Sequence, residues 1–288
     1  MNIKKYKSTV LSWSMLKIVL CNFISFFGFL ALLLGVGDIL WPQTFNYGEN
    51  GFKIIIFVSV FFALIKSFPK LASSFYYSIP GHKIEIIVGD LFSSDKKNIV
   101  IGMSDTFDTE IGEIISKESI QGQFLEKIYR SDKSRLDRDL KIELDKLKLN
   151  PKIDKEKTIG KNERYDIGTT VCIRYGSVNY FCCGYSFMNN NLMAKSSFEE
   201  LWISLGKIWN MVRIKGERNA MAMPVIGSNL ARIENVNYNL LIKSIILSYV
   251  VNSRLTPISK ELSIIINELN AEKINFLEIQ NFLENLDK

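Results

Sequence analysis

The sequence contains only one histidine, four cysteines and six prolines among its 288 residues. None of the cysteines (Cys21, Cys172, Cys182 and Cys183) has the C-x-x-C spacing that is typical of zinc sites and redox motifs. Cys182 and Cys183 would point to opposite faces of a strand. The pattern argues against a disulfide framework and indicates a reducing compartment. His82 has no nucleophile near it in the sequence, so we predict a surface or turn histidine.

The sequence also lacks a G-x-G-x-x-G fingerprint and a P-loop, so it gives no support for nucleotide hydrolysis by the enzymes that carry those motifs. Its 17 glycines show no fixed repeat, which excludes collagen-like and low-complexity classes. The length of 288 residues predicts one or two domains, and a composition of 47% hydrophobic and 23% charged residues excludes disordered and fibrous proteins. Nearly all the apolar excess precedes residue 70, and nearly all the charge follows it.

A long apolar run near the N-terminus predicts a transmembrane helix. Residues 18–37 carry no charge, and about 20 apolar residues span a bilayer core as a helix. A signal peptide is the alternative, but its apolar region is shorter and a small-residue cleavage site follows it. The sequence Asp38-Ile39-Leu40-Trp41 is a poor cleavage site, so we favour a membrane span.

A second apolar run covers residues 54–65 and has only 12 uncharged residues. A core helix is the alternative at that length. Lys53 and Lys66 flank the run and can snorkel to the interface, which favours a second span. The predicted hairpin occupies residues 1–75, with spans at about 18–40 and 52–68.

Basic residues predict the orientation of this hairpin. They lie before the first span and after the second, whereas the connecting loop carries Glu49 and no basic residue. By the positive-inside rule, both termini and the C-terminal domain face the cytoplasm. We therefore expect a multi-pass protein of the cell (inner) membrane.

Residues 80–288 alternate strands with helices, which predicts an α/β layered domain with a mixed sheet. The helices are predicted at 196–216, with Ser196 or Ser197 as the cap, at 237–253 and at 272–286. The predicted strands are Lys83–Val88, Asn98–Gly102, Thr169–Tyr175, Val178–Phe187, Asn219–Met223 and 262–268.

Residues 126–164 form a charged insertion with 13 basic and nine acidic residues. Leu136, Leu140, Leu144 and Leu147 recur at helical spacing, which predicts an amphipathic helix. Residues 152–164 are predicted to be a mobile loop. The mixed charge favours a solvated insertion over a nucleic-acid site, and we expect no nucleic-acid partner.

Two strand ends combine with polar loops. Gly89-Asp90 follows the first strand, and a Gly-Ser-Asn loop lies within residues 224–232. Ligands bind at the carboxyl ends of strands in open α/β sheets, and such loops can hold phosphates with backbone N–H groups. Both pairs are also common turn sequences, so ordinary turns remain the alternative for each.

The order of these features resembles a macro domain, the three-layer α/β/α fold that binds ADP-ribose. KIEIIVGDLF resembles the opening strand with its adenine-contacting aspartate, and MPVIGSNLARI resembles the phosphate loop. The stretches FDTEIGEIIS and SIQGQF, with the hairpin ahead of them, are similar to the membrane-tethered macro effectors of Thoeris anti-phage systems. The resemblance covers essentially the full chain.

The resemblance implies a set of ligand contacts. Asp90, with Leu91 beside it, would hold the adenine, and Gly122 would help to close the site. Residues beside the distal ribose would be Ser104, Asp105, Thr106, Phe107 and Asp108. Residues around the diphosphate would be Pro224, Val225, Ile226, Gly227, Ser228, Asn229 and Leu230.

Two features of the segment after the second strand leave its role open. For Asp105 and Asp108, capping of the next helix is the alternative to ligand contact. The Asn-Ala-Ala-Asn turn of enzymatic macro domains is replaced by Gly102-Met103-Ser104-Asp105, which favours a ligand reader without catalytic residues, cofactor or metal.

The function implied by the resemblance is a ligand-gated membrane effector. A TIR-domain partner would make an ADP-ribose derivative, such as a histidine conjugate. Binding would then drive homo-oligomerisation and disruption of the lipid bilayer, leading to abortive infection. A membrane-anchored ADP-ribosyl hydrolase and a passive ADP-ribose reader are the alternatives.

Overall fold

The computed structural model describes residues 12–40, 48–68, 72–78, 81–228, 233 and 236–286. The chain divides into two compact units. The first comprises Met1–Leu71 with Glu272–Glu278, and the second comprises Ala72–Ala271 with Ile279–Lys288.

The N-terminal unit contains two packed helices, α1 (Trp13–Leu40) and α2 (Gly48–Lys66). The rings of Phe26 and Phe62 stack with centroids 4.0 Å apart. The side-chain amide of Asn22 donates a hydrogen bond to the Ser67 hydroxyl over 2.9 Å. The predicted helical hairpin is therefore present as two contacting helices. Of the predicted connecting loop, 41–52, residues 41–47 lie outside the described residues, and residues 48–52 belong to α2 instead.

Small side chains form the buried stripe of this hairpin, while its outer surface is apolar. Ser59, Ala63 and Ser67 recur every four residues and are almost fully buried, which lets helix backbones approach closely. Within the described part of the chain, one segment, Met15–Gly37, is long and apolar enough to cross a membrane, with a mean hydropathy of 2.4. The second predicted span, 52–68, is helical through Lys66, and its membrane crossing stays a prediction.

Ten strands, five further helices and two 3-10 turns make up the rest of the described chain. The strands are β1 (Ala72–Tyr77), β2 (His82–Val88), β3 (Asn98–Ser104), β4 (Lys152–Ile153), β5 (Glu163–Arg164), β6 (Thr169–Tyr175), β7 (Val178–Met188), β8 (Ala194–Lys195), β9 (Met221–Pro224) and β10 (Glu261–Ile266). The helices are α3 (Ile120–Lys127), α4 (Lys133–Lys146), α5 (Phe198–Lys215), α6 (Tyr238–Leu255) and α7 (Phe276–Asn285), and the 3-10 turns are Leu91–Ser93 and Glu268–Lys273.

The main sheet is mixed, with strand order β1-β2-β10-β9-β3-β7-β6, and β8 pairs with β7. The five central strands from β2 to β7 run parallel. β1 and β6 are antiparallel to their neighbours. The predicted α/β mixed sheet is confirmed, and the carboxyl ends of five neighbouring strands meet at one edge.

Helices cover both faces of this sheet. Cys182 lies in the core cluster shared with Phe124 of α3 and Leu140 of α4. Its neighbour Cys183 lies on the opposite side, where it contacts Ser204 of α5. The two cysteines therefore point to opposite faces, as the strand pattern predicts.

Capping side chains lie at the starts of two helices, and Ser197 at α5 is one of the two predicted caps. Ser197 caps α5 and forms a reciprocal capping box with Glu200. Asn237 caps α6 by accepting a hydrogen bond from the Leu240 N–H. The N-terminal ends of these two helices therefore follow from residues within a single turn.

Three sequence expectations are wrong or incomplete. His82 is not a surface or turn residue, because it lies buried in β2 between the rings of Tyr77 and Tyr249. β1, which supplies Tyr77, has no counterpart among the predicted strands. The predicted mobile loop at 152–164 is instead a hairpin of β4 and β5 that carries a buried lysine, Lys157.

A cluster of two lysines and two glutamates joins β2, β10 and the residues before β3. Glu85 accepts from Lys83 and from the Ser263 hydroxyl, and Lys96 lies 3.6 Å away. Burial raises the pKa of Glu85, but these hydrogen bonds and cations outweigh it and lower the pKa to about 2.

We therefore expect stability to depend on Glu85 ionisation. Since the folded pKa of about 2 lies below the ordinary 4.5, the stabilisation is full above pH ~5 and is lost as the pH falls through ~2. Glu85→Gln should lower the free energy of unfolding at neutral pH by on the order of 2 kcal/mol and flatten this acid dependence. Denaturant unfolding of the detergent-solubilised chain, followed by tryptophan fluorescence, measures both. Glu143→Gln, which removes the surface pair with Lys146, is the control, and equal pH profiles for all three chains would refute the assignment.

Candidate functional site

The three predicted ligand loops begin at the same edge of the sheet. Asp90 follows β2, Ser104–Asp108 follows β3, and residues 225–228 follow β9. Because β2, β9 and β3 are all parallel, their carboxyl ends face one cleft.

Asp90 lies at the open end of this cleft. Its carboxylate accepts from the Phe92 N–H and the Ser93 hydroxyl, each over 3.1 Å, and from Lys127 Nζ over 2.7 Å. Partial burial raises the pKa of Asp90, but the Lys127, Phe92 and Ser93 hydrogen bonds outweigh it and lower that pKa below its usual value. An ionised carboxylate at this position can accept a hydrogen bond from an amino group of a ligand.

A cavity of about 240 Å³ lies beside Asp90. Three elements enclose it: the loop after β2, the end of β10 and the first turns of α3. Its lining residues are Gly89, Asp90, Leu91, Ile120, Gln123, Ile265, Asn267 and Glu268. Leu91 itself is buried beneath the cleft.

Gly122 does not line this cavity, although its neighbours on α3 do. A Cβ at Gly122 would overlap the Ser116 carbonyl oxygen, so the glycine allows α3 to pack against the preceding loop. The predicted closing role of Gly122 stays a prediction.

The described part of the predicted phosphate loop is a buried turn. Pro224 ends β9, and Val225 and Ile226 are buried. Gly227 has a φ of +83°, which disfavours any residue with a Cβ. The Ser228 hydroxyl donates to the Val225 carbonyl over 2.7 Å. Asn229 and Leu230, which complete the predicted loop, lie outside the described residues.

Tyr185 supports this turn from two strands away, and sequence reasoning missed it. Its ring passes over Gly102 of β3, where an added Cβ would lie 2.6 Å from the ring. Burial raises the pKa of Tyr185 to about 12, and a hydrogen bond with the Gly227 backbone opposes that rise. A glycine inside a strand signals a close approach, so Gly102 is the sequence feature that pointed to such a contact.

The residues predicted beside the distal ribose are all buried. The Thr106 hydroxyl donates to Asp108 over 2.5 Å and lies 3.2 Å from the Ser104 hydroxyl. Phe107 has a left-handed φ of +51° and packs edge-on against Tyr165. These side chains are satisfied within the protein, and ligand contact by this segment stays a prediction.

The alternative interpretation of Asp105 and Asp108 as helix caps is wrong. Ser119 caps the next helix, α3, by accepting from the Gly122 N–H. Both aspartates instead bind the insertion that follows α3.

Asp108 pairs with Lys157, and the side chains of both are almost fully buried. Lys157 Nζ donates to Asp108 over 3.0 Å and to the carbonyl oxygens of Ile159 and Lys161 over 2.7 and 2.6 Å. Three acceptors therefore match the three N–H bonds of the ammonium group. Gly160 has a φ of +78°, and a Cβ there would overlap Asp108 Oδ1. Only glycine lets the insertion wrap the carboxylate in this way.

Asp105 pairs with Arg164 in the same layer. Arg164 Nη1 lies 2.7 Å from Asp105, its Nε lies 2.7 Å from Asp154, and its guanidinium stacks over Phe187. Burial raises the pKa of Asp105, and the Arg164 guanidinium opposes that rise. The predicted solvated insertion is therefore a structural layer over the loop after β3.

A second cavity of about 390 Å³ opens beside this layer. It is lined by charged and amide side chains of the insertion and of the segment after β7, together with an aromatic side chain of β7 itself. The lining residues are Asp154, Glu156, Lys157, Arg164, Phe187, Asn189, Asn190 and Asn191.

We expect the Lys157–Asp108 pair to be strongly coupled. Lys157→Met leaves a buried carboxylate without its cation and should destabilise the chain by about 3–5 kcal/mol. Lys157→Met combined with Asp108→Leu should recover most of that loss. Denaturant unfolding of the single and double variants measures the coupling, with exposed Lys146→Met as the control. A decrease in the free energy of unfolding below ~1 kcal/mol for Lys157→Met would contradict the prediction, because it would mean that the pair is as weak as a surface salt bridge.

The family model described as Thoeris protein ThsA, Macro domain matches residues 84–267. No curated protein matches significantly.

Several solved macrodomain structures are similar to the chain. The Oceanobacillus iheyensis macrodomain with MES bound has a TM-score of 0.49 and 11% identity over 75% of this chain and 99% of that one. Its G37V mutant with ADPR has a TM-score of 0.46 and 12% identity over 74% and 98%. The macrodomain of Mycobacterium tuberculosis DarG has a TM-score of 0.42 and 13% identity over 65% and 98%.

The family match covers well over half of the chain and spans the sheet from β2 to β10, including the loops after β2, β3 and β9. The chain therefore belongs to the family of Thoeris ThsA macro domain proteins.

Proposed function

We propose that this chain is a membrane-anchored effector of anti-phage defence whose macro domain senses an ADP-ribose derivative. A TIR-domain partner makes the signal, and a conjugate of ADP-ribose with histidine is the form we favour. The observation that carries the proposal is the presence, in one chain, of a ThsA-type macro domain at 84–267 and an apolar helix at Met15–Gly37.

The cleft supports an ADP-ribose ligand at two points. Asp90 presents an ionised acceptor beside a 240 Å³ cavity, which suits an adenine amino group. The turn at Gly227 follows a parallel strand at the same edge of the sheet, where backbone N–H groups can bind phosphate. One extended nucleotide can reach both because the loops share that edge.

The N-terminal hairpin supports a multi-pass membrane protein. Most of its outer side chains are apolar on both helices, including Leu20, Leu32, Phe57 and Phe61, and the exposed Lys17, Lys53 and Lys66 lie toward the helix ends. A helix pair that is apolar on its outer surface as well as at its contact suits lipid, not water. The small-residue stripe of α2 is the packing that membrane helices favour.

Signal binding drives homo-oligomerisation of the hairpins and disrupts the bilayer in this scheme. A ligand must favour the active state by about 5.5 kcal/mol to convert a 1:99 population into 99:1. Neither α1 nor α2 presents a row of charged side chains, so we expect lipid disruption or a pore built from several protomers.

Macro domains include hydrolases as well as binders, and we favour a binder here. The segment Gly102–Asp105 replaces the asparagine turn of the enzymes, and the Ser104 and Asp105 side chains are buried. A buried, paired aspartate cannot readily reach a ligand ester or a water nucleophile.

The first test is binding of ADP-ribose and its histidine conjugate to the detergent-solubilised full chain by calorimetry. Asp90→Ala removes a hydrogen bond to a charged acceptor and should weaken binding about 10- to 100-fold. Gly227→Glu places a side chain where φ is +83° and Ile233 Cδ1 would lie 2.9 Å from the new Cβ, so we expect loss of binding.

Asp95→Ala is the matched control, because Asp95 is a highly exposed carboxylate on the next loop and does not line the cavity. Unchanged affinity in Asp90→Ala would contradict the assigned adenine contact. Breakdown of the ligand during the titration would favour the hydrolase.

The second test is leakage of a dye from vesicles that contain the reconstituted chain. We expect the compound that binds in the first test to raise the leakage rate by more than about tenfold, because a shift of several kcal/mol converts most of the chains to the active state. Asp90→Ala should require correspondingly more ligand. Tight binding without any leakage would instead indicate a passive reader.

A further inference from the structure

Four of the five most exposed side chains of α6 are apolar, and the fifth is Arg254. α6 is buried along most of its length, and its narrow exposed strip recurs at helical spacing. The strip contains Leu240, Leu247, Val251 and Leu255, of which Leu255 is 81% exposed. These large side chains are not needed for the core of the domain.

The neighbouring helix α5 adds apolar side chains to the same outer layer. Trp209 of α5 donates to the Ser248 hydroxyl of α6 over 2.9 Å, so the two helices lie side by side. Trp202 lies on the side of α5 that carries Trp209, since seven residues make about two turns. The exposed apolar residues of α5 are Phe198, Trp202, Ile203 and Ile214.

Charge on this α5–α6 face is mainly positive, because five basic residues outnumber the two acidic ones, Glu199 and Glu200. α5 has acidic residues only in its first turn, and the sequence of α6 contains none. Three of the cations donate to backbone carbonyl oxygens: Lys207 to Ile167, Arg213 to Asn252 and Arg254 to Leu286. Because carbonyl groups carry no net charge, these hydrogen bonds do not neutralise the three cations. The basic residues of the two helices are Lys207, Arg213, Lys215, Lys243 and Arg254.

We propose that the α5–α6 face docks onto the surface of a membrane rich in anionic phospholipids. An apolar strip bordered by Lys and Arg is the composition by which a helix lies in the headgroup region. The basic border complements the negative charge of the cytoplasmic leaflet. This inference rests on the membrane anchoring of the proposed function, because the N-terminal span keeps the domain near that surface.

Charge decides between lipid and a second copy of the chain. A symmetric dimer through this face would place the same patch on both partners. It would place five basic residues of one copy opposite five of the other, with only two carboxylates, Glu199 and Glu200, on each. Anionic headgroups neutralise the same cations, so lipid is the occupant that the face suits better.

The test places a fluorescent label on the full chain at Val251→Cys and reconstitutes the protein into vesicles that contain brominated phosphatidylcholine. The matched control is Ile142→Cys on α4, which lies on the other face of the sheet and is equally exposed, at 46% against 47% for Val251. The unsubstituted chain, labelled in parallel, measures the background from Cys21 and Cys172. Flotation of the vesicles reports anchoring separately.

We expect quenching at residue 251 to exceed quenching at residue 142 by about twofold or more in vesicles with phosphatidylglycerol. The difference should shrink in phosphatidylcholine alone and on raising the salt from about 0.1 M to about 1 M, which shortens the Debye length from about 10 Å to about 3 Å. Arg254→Glu and Leu247→Glu should each reduce it.

Equal quenching at both positions in floating vesicles would overturn the docking proposal and leave the anchoring intact. Quenching that does not depend on phosphatidylglycerol would contradict the anionic surface. Thiol cross-linking between two copies of the Val251→Cys variant, with no quenching, would assign the face to a second copy. A chain that fails to float would overturn both the anchoring and the docking.

Discussion

The distal half of the cleft depends on the hydrogen bonds and the ion pair of the buried Lys157 ammonium group. An ion removed from water is strongly destabilising unless every polar atom finds a partner. Lys157 meets that requirement with one carboxylate, Asp108, and two carbonyl groups of its own loop. The same contacts hold residues 157–161 in a closed turn that only Gly160 permits. The insertion and the loop after β3 therefore form one structural unit.

Features that depend on neighbouring residues could be predicted from the sequence. The strand at 98–104 reads as an apolar run that ends in a polar turn, and the start of α5 follows from Ser197 and Glu200. The resemblance to macro domains rests on the same kind of signal, a strand that is followed by Asp90 and another that ends in Pro224. Each of these elements is determined within about ten residues.

Features that depend on distant partners could not be predicted. Lys157 lies 49 residues from Asp108, and Arg164 lies 59 residues from Asp105. Lys is almost never fully buried without a charged or polar partner. A charged segment is therefore predicted to be solvent-exposed when the sequence alone does not reveal that partner. The burial of His82 likewise needs β1 on one side and α6 on the other. Contacts between residues that are far apart in the sequence determine the burial of these side chains.

The two ends of the cleft differ in how readily they can respond to a ligand. Asp90 is about 40% exposed and is held by an exposed lysine, a pair worth little free energy. Asp105 and Asp108 are held by buried cations, and breaking such a pair costs about 3–5 kcal/mol. A ligand bound at Asp90, as proposed, would therefore leave the buried pairs of the insertion in place. Displacing the insertion requires a distal group that itself satisfies Lys157 or Arg164, because a ligand shifts an equilibrium only through its differential affinity for the two states.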